Sequence, residues 1–206
     1  MEKLDFKKAF SQYYSPKSGS VQEVALPLLQ FATVTGKGDP NGPAFREAIE
    51  ALYGLSYTLK FSRKKAGLEP DYTVGPLEAV WWDESQGKEF MDGNREAWQW
   101  RAMIWQPDFI TATEFSTAIA EVEKKKPSPS VMKLKLEQIT EGRSVQVMHI
   151  GPYSAETENI ERLLNYADEH GLIPQRMGHH EIYLSDPRRV PVERLKTIIR
   201  YPVQEK

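Results

Sequence analysis

The sequence predicts an α+β chain built twice over from one unit, strand–helix–strand–strand. Two observations carry this. Segments rich in β-branched and aromatic residues alternate with apolar stripes at three- and four-residue spacing, the marks of strands and amphipathic helices respectively. Landmarks also recur in one order. "GPLEAVWWD" (Gly75–Asp83) is answered by "GHHEIYLSD" (Gly178–Asp186), each with Glu three residues after Gly and Asp five after that Glu, and "IWQP" (Ile104–Pro107) by "IRYP" (Ile199–Pro202).

Residues 1–20 are polar, with one short amphipathic piece (Leu4, Phe6, Ala9, Phe10) that ends at Ser15-Pro16. "VALPLLQFATVTG" (Val24–Gly36) reads as a strand broken at Gly36, and "GDPNGP" as a turn leading into a helix with Pro43 in its first turn. Phe45, Ile49, Leu52 and Leu55 give that helix its apolar stripe. Strands follow over 72–82 and 98–105, joined by the turn-rich "DESQGKEFMDGNREA". A helix with Phe115, Ile119 and Val122, expected to be capped by Thr113, ends at Lys126-Pro127, and "KKKPSPS" links it to the second half. There, "VMKLKLEQITEGRSVQVMHIG" gives strands ending at Gly151. Ser154 is expected to cap a helix carrying Ile160, Leu163, Leu164 and Ala167, stopped by Gly171. "GHHEIYLSDP" and "LKTIIRYPV" are the last strands.

The composition excludes several classes. Of 206 residues 40% are hydrophobic and 27% charged, which suits a globular protein with a sizeable core. Lys and Arg number 27 against 29 Asp and Glu, a net charge of -2, so bulk electrostatics favours neither nucleic acid nor anionic lipid. With no cysteine, thiolate nucleophiles, disulfides and cysteine metal sites are ruled out. No apolar run reaches the roughly 18 residues of a membrane span and the start lacks a signal-peptide apolar core, so a cytoplasmic monomer or homodimer is expected. Twenty polar residues are too few for a helix-turn-helix module, so direct DNA binding is not expected.

Weaker constellations have plainer readings. His179 and His180 suggest metal, but adjacent strand residues point apart and no third ligand lies at a useful spacing, so neither metal nor cofactor is expected. Ser154 lacks the Gly-x-Ser-x-Gly setting of a nucleophile elbow. "GKGDPNGP" lacks the Gly-Lys-Ser/Thr ending of a phosphate loop.

"HIGPYSAETENIERLLNYADEHGL" followed by "GHHEIYLSDPRRVPVERLKTIIRYPV" resembles the GyrI-like small-molecule-binding domain, most clearly over residues 131–206. The resemblance implies one domain over 1–206: a first repeat at about 22–110, a linking helix and linker at about 111–130, and a second repeat at about 131–206. It implies a curved antiparallel sheet with helices over a central ligand cavity, into which an acid at the position of Glu181 projects. Regulators of this family carry a DNA-binding segment for which this chain has no room. In its length, its "LEAVWW" stretch and its aromatic richness the chain is similar to stand-alone relatives that open the strained cyclopropane of DNA-alkylating compounds by adding water.

Strand alternation puts Glu181 on one face with Tyr183, and Glu78 on one face with Val80 and Trp82. If the repeat holds, Glu78 and Glu181 point at one another across a shared hollow, with Trp82, Trp105, Met103, Trp100 and Tyr153 as further walls. Trp81 then packs on the outer face, beneath the 113–126 helix or at a dimer contact. A carboxyl in such a hollow has its pKa raised and can act as general acid or base near neutral pH. Ionised, it would attract a cation, helped by cation–π contacts. A lone glutamate on a strand is ordinarily just solvated; for Glu181 the resemblance favours function. The expected partner is a bulky aromatic or cationic small molecule, hydrolysed or merely sequestered. A third reading is a protein-interaction module, as inhibitor members of the wider family bind a topoisomerase.

Overall fold

The computed structural model describes residues 3–83, 94–175 and 178–206; most of the turn-rich connector after Asp83 lies outside them. The chain runs α1 (Phe6–Ala9), α2 (Ser11–Tyr14), β1 (Gln22–Leu26), β2 (Leu29–Lys37), α3 (Pro43–Lys65), β3 (Leu77–Trp82), β4 (Gln99–Trp105), α4 (Ala112–Lys125), α5 (Pro129–Met132), β5 (Lys135–Ile139), β6 (Gly142–Ile150), α6 (Thr157–Glu169), β7 (Leu172–Pro174), β8 (His179–Tyr183) and β9 (Lys196–Glu205). The strands form one curved antiparallel sheet in the order β1-β6-β9-β8-β3-β4-β2-β5, with β7 added against β9.

That order is its own mirror once the halves are exchanged: β1 for β5, β2 for β6, β3 for β8, β4 for β9. The outer strands are traded. β1 pairs with β6 of the second half, and β5 pairs with β2 of the first. The two halves meet at β3 and β8, which lie side by side in the middle of the sheet.

Local chemistry explains the element ends. Pro43 opens α3, where its missing N–H costs nothing, and Gly171 leaves α6 in the left-handed region (φ 67°). The cap of α4 is Thr111 and not Thr113, because Glu114, not a residue two further on, stands three positions later and completes a capping box. Ser154 does not cap α6 either. It sits in the single turn Tyr153–Ala155, and the residue at the N-cap is Glu156, whose side chain makes no capping bond. Gly36 has a packing reason: a Cβ there would fall 2.3 Å from the Trp100 ring.

Both faces of the sheet are covered. On one, α3 lays Phe45 against Trp81 and Trp100, with ring centroids 4.7 and 5.2 Å apart. On the same face α6 buries Ile160, Leu163 and Ala167 against Val145, Val147 and Ile199. The opposite face is roofed by the N-terminal residues. Phe6 packs 4.7 Å from Trp105, and Tyr14 is 2% exposed. This face is why two adjacent tryptophans can both be useful: the strand has a covered side in each direction. Among the described residues, no helix is long and apolar enough to cross a membrane.

Candidate functional site

The ladder between β3 and β8 decides which residues share a face. Ala79 stands opposite Glu181, Leu77 opposite Tyr183, and Trp81 opposite His179. Glu78 pairs with Ile182, and Val80 with His180. Directly paired residues project to the same side, so Glu181, Tyr183, His179, Ala79 and Trp81 face the α3/α6 side, while Glu78 and His180 face the N-terminal roof. The expectation that Glu78 and Glu181 meet across one hollow therefore fails. Aligning the two acids by sequence slips the true register by one residue, and such a slip sends a side chain through the sheet.

The other expected residues divide along the same line. Trp82 takes the face of Glu78, as alternation requires, and is only half-buried. Met103 is paired with Glu78 and shares its face, as does Trp105, which lies under Phe6 and Phe10. Trp100 is paired with Trp81 and lies beneath Phe45, on the Glu181 face. Tyr153, from the turn before α6, sets its ring edge-on to Tyr183 with centroids 5.7 Å apart. The structure thus joins Glu181, Tyr183 and Tyr153, and separates Glu78, Trp82, Met103 and Trp105 from them. Trp81, expected on the outer face, belongs with Glu181; its indole N–H donates to Tyr183 Oη at 3.3 Å.

Glu181 is held on both carboxylate oxygens. His179 Nε2 lies 2.9 Å from Oε1, and the Tyr183 hydroxyl donates to Oε2. Its side chain keeps 14% of its surface exposed, so the carboxylate is buried but reachable. His179 Nδ1 is 2.7 Å from the Tyr201 hydroxyl on β9, which fixes the ring's orientation. Glu156, 1% exposed at the head of α6, brings a second carboxyl beside this group. Atoms from Glu156, His179 and Glu181 all lie within 4.8 Å of one another, so a small cation could be offered three donors. Without one, both His179 nitrogens already have partners in Tyr201 and Glu181.

The electrostatics separates the two acids. Burial pushes the Glu156 carboxyl up, and the charge of Glu181 and a hydrogen bond to it push further in the same direction. Burial would raise Glu181 as well, but His179, Tyr183 and Glu156 hold it below the usual carboxylate range. Near neutral pH the pair is one acid and one carboxylate sharing a contact. Burial and the Glu181 charge also raise Tyr183 well above its ordinary value and Tyr153 to about 12, so both keep their hydroxyl protons.

Two of these groups, His179 and Glu156, were not anticipated in their roles. His179 is two residues before Glu181, as Tyr183 is two after, and the strand period alone places all three on one face. Glu156 carries no such signal, because its approach depends on how α6 docks on the sheet.

On the other face Glu78 belongs to a closed charge network. Tyr14 donates to its Oε1 at 2.9 Å, and His180 Nε2 lies 3.0 Å from its Oε2. His180 Nδ1 lies 2.6 Å from Glu141, which also accepts from Arg200 at 2.8 Å. Burial disfavours the His180 charge, yet Glu141 and Glu78 raise its pKa to about 9. Burial likewise opposes the Glu141 charge, but His180 and Arg200 hold its pKa at about 2. Glu78 and Arg200 are fully buried, so this network has the features of an interior brace beneath the N-terminal segment. A hollow of about 500 Å³ on the outer side of α6 is lined by solvated groups such as Glu161, Arg162 and Asn165, and includes neither acid pair.

Comparison with known proteins bears on the family and the fold. A model of the GyrI-like small molecule binding domain matches residues 102–204. An uncharacterized conserved protein from Listeria innocua is 38% identical, with a TM-score of 0.90 over 98% of this chain and 100% of its own. Two further Listeria innocua structures, each described as a hydrolase, are 36% and 34% identical, with TM-scores of 0.84 and 0.85 over the same shares. No curated protein sequence matches the chain.

Proposed function

The chain belongs to the GyrI-like family of small-molecule-binding domains, and from that premise we propose that it hydrolyses bulky aromatic electrophiles, opening a strained cyclopropane by adding water. The observation that carries this reading is Glu181: a carboxylate oriented on both oxygens, nearly dry but reachable, and walled by Trp81, Tyr153 and Tyr183. Such a group can take a proton from a water held against it, and the aromatic walls can hold a flat substrate in line. Two of the similar Listeria proteins are described as hydrolases, which supports the class of reaction.

The energetic demand is moderate. Positioned general-base catalysis contributes about 10²–10⁴-fold, and exclusion of bulk water keeps competing paths slow. The same carboxylate would also attract an organic cation, so tight binding without turnover is the competing reading. The test is incubation with a cyclopropane-bearing aromatic compound, following the mass gain of one water. Wild type should convert it, and Glu181→Gln should lose roughly 10²-fold or more. Tight binding with no mass gain would move the protein to a sequestering role.

A further inference from the structure

Glu156 stands at the N-cap of α6, where the usual residues, Ser, Thr, Asp and Asn, accept from the first free N–H groups of the helix. It makes no such bond. Its side chain turns inward instead, 1% exposed, with Oε1 lacking any hydrogen-bond partner among the described residues. A buried polar atom without a partner is costly, and that cost accompanies the placing of this carboxyl next to Glu181 and His179.

We propose that Glu156 is the proton donor of the site, passing its carboxyl hydrogen to the departing oxygen of a bound electrophile while Glu181 takes a proton from the attacking water. This rests on the hydrolytic reading above and narrows it to electrophiles whose departing electron pair ends on oxygen, such as a cyclopropane conjugated to a carbonyl. The new bond joins the water oxygen to the ring carbon. The cyclopropane C–C bond breaks, and its electron pair runs through the conjugated system to the carbonyl oxygen. That oxygen takes the Glu156 proton and becomes a hydroxyl. Glu181 is left protonated and Glu156 ionised, and one proton crossing their mutual contact restores both. The sum is the addition of one water, with no other reactant. The geometry supports the assignment: two carboxyls in contact hold one proton between them, and Glu181, which accepts from Tyr183, meets His179 and keeps some exposure, is the better seat for the charge than the more deeply buried Glu156.

The test uses a series of spirocyclopropyl cyclohexadienones with ring substituents that grade the acidity of the phenol formed. In wild type the rate should depend weakly on that acidity, because the oxygen is protonated as it departs. In Glu156→Gln it should fall by about 10²-fold or more for the least acidic phenols and by less than about tenfold for the most acidic. A loss equal across the series would mean that Glu156 only shapes the site, and would overturn the proposal while leaving hydrolysis intact. A wild type inert toward every member would overturn both. Independently of turnover, the infrared difference between wild type and Glu156→Gln at neutral pH should contain the C=O stretch of a protonated carboxyl. Its absence would also overturn the assignment.

Discussion

The inward carboxyl of Glu156 has a consequence for stability that can be measured without any substrate. Its folded pKa is raised above the ordinary carboxylate value of about 4.5 by burial and by Glu181. Between those two values the native state holds one proton that the unfolded chain has released. The contribution of Glu156 to stability is therefore full below about pH 4.5 and falls as pH rises, by about 1.4 kcal/mol per pH unit for one proton. Glu181, whose folded pKa is lowered, works in the opposite window: its contribution is present above about pH 4.5 and is lost on acidification. His180, raised to about 9 from 6.5, begins to matter only above about pH 6.5, where its contribution starts to be lost.

The window from pH 5 to pH 6.5 thus isolates Glu156. Across it, wild type should lose about 2 kcal/mol relative to Glu156→Gln, which keeps the shape and hydrogen-bonding capacity but has no proton to release. Urea unfolding of both proteins at half-unit intervals reads this difference. Parallel curves for the two proteins would refute the reasoning, for they would mean that Glu156 is ionised in the folded state.

The remaining predictions concern the two faces. Glu141→Gln removes the partner shared by His180 and Arg200 and leaves buried positive charge, so unfolding should become easier by about 3–5 kcal/mol. It should also lower the pKa of His180, read from its ring protons by NMR titration, because Glu141 is the strongest influence raising it. Trp81→Ala empties a site that is 2% exposed and should cost about 3–5 kcal/mol, against about 1 kcal/mol for the half-buried Trp82, compared by thermal and urea unfolding. Trp81→Ala should also weaken binding of flat aromatic ligands, measured by calorimetry under conditions where the variant is folded; unaffected binding would take Trp81 out of the site.

Much of the framework was legible because it depends on local periodicity. The α3 stripe at Phe45, Ile49, Leu52 and Leu55 and the strands around Trp81, Trp100 and Glu181 follow from spacing alone. The duplicated order of elements was legible for the same reason. Register was not. The fragments "LEAVWWD" and "EIYLSD" align best on their acids, yet the ladder pairs Glu181 with Ala79. A single residue of slip decides whether two glutamates share a pocket or sit back to back, and nothing in either fragment records it. The polar look of residues 1–20 was also misleading: their few apolar side chains, Phe6, Phe10 and Tyr14, are the ones that cover the second face.

Back-to-back acids give the sheet two different interiors. Glu78 is fully buried and balanced by His180, with Glu141 and Arg200 completing the charges, so its neighbourhood is closed to solvent. Glu181, one strand away and on the other side, keeps an exposed fraction and sits against a second acid that is itself buried. A duplicated fold that had kept both halves alike would present the same group at both central strands. Here the position facing Glu181 is Ala79, whose small side chain leaves room on the helix-covered side where a second carboxylate would have repelled the first. The asymmetry at that one pair is what lets Glu156, arriving from α6, be the only other acid near Glu181 among the described residues that cluster there. Because the two acids arrive from different elements they meet different partners, and His179 and Tyr183, which hold the Glu181 carboxylate, leave the shared proton on Glu156.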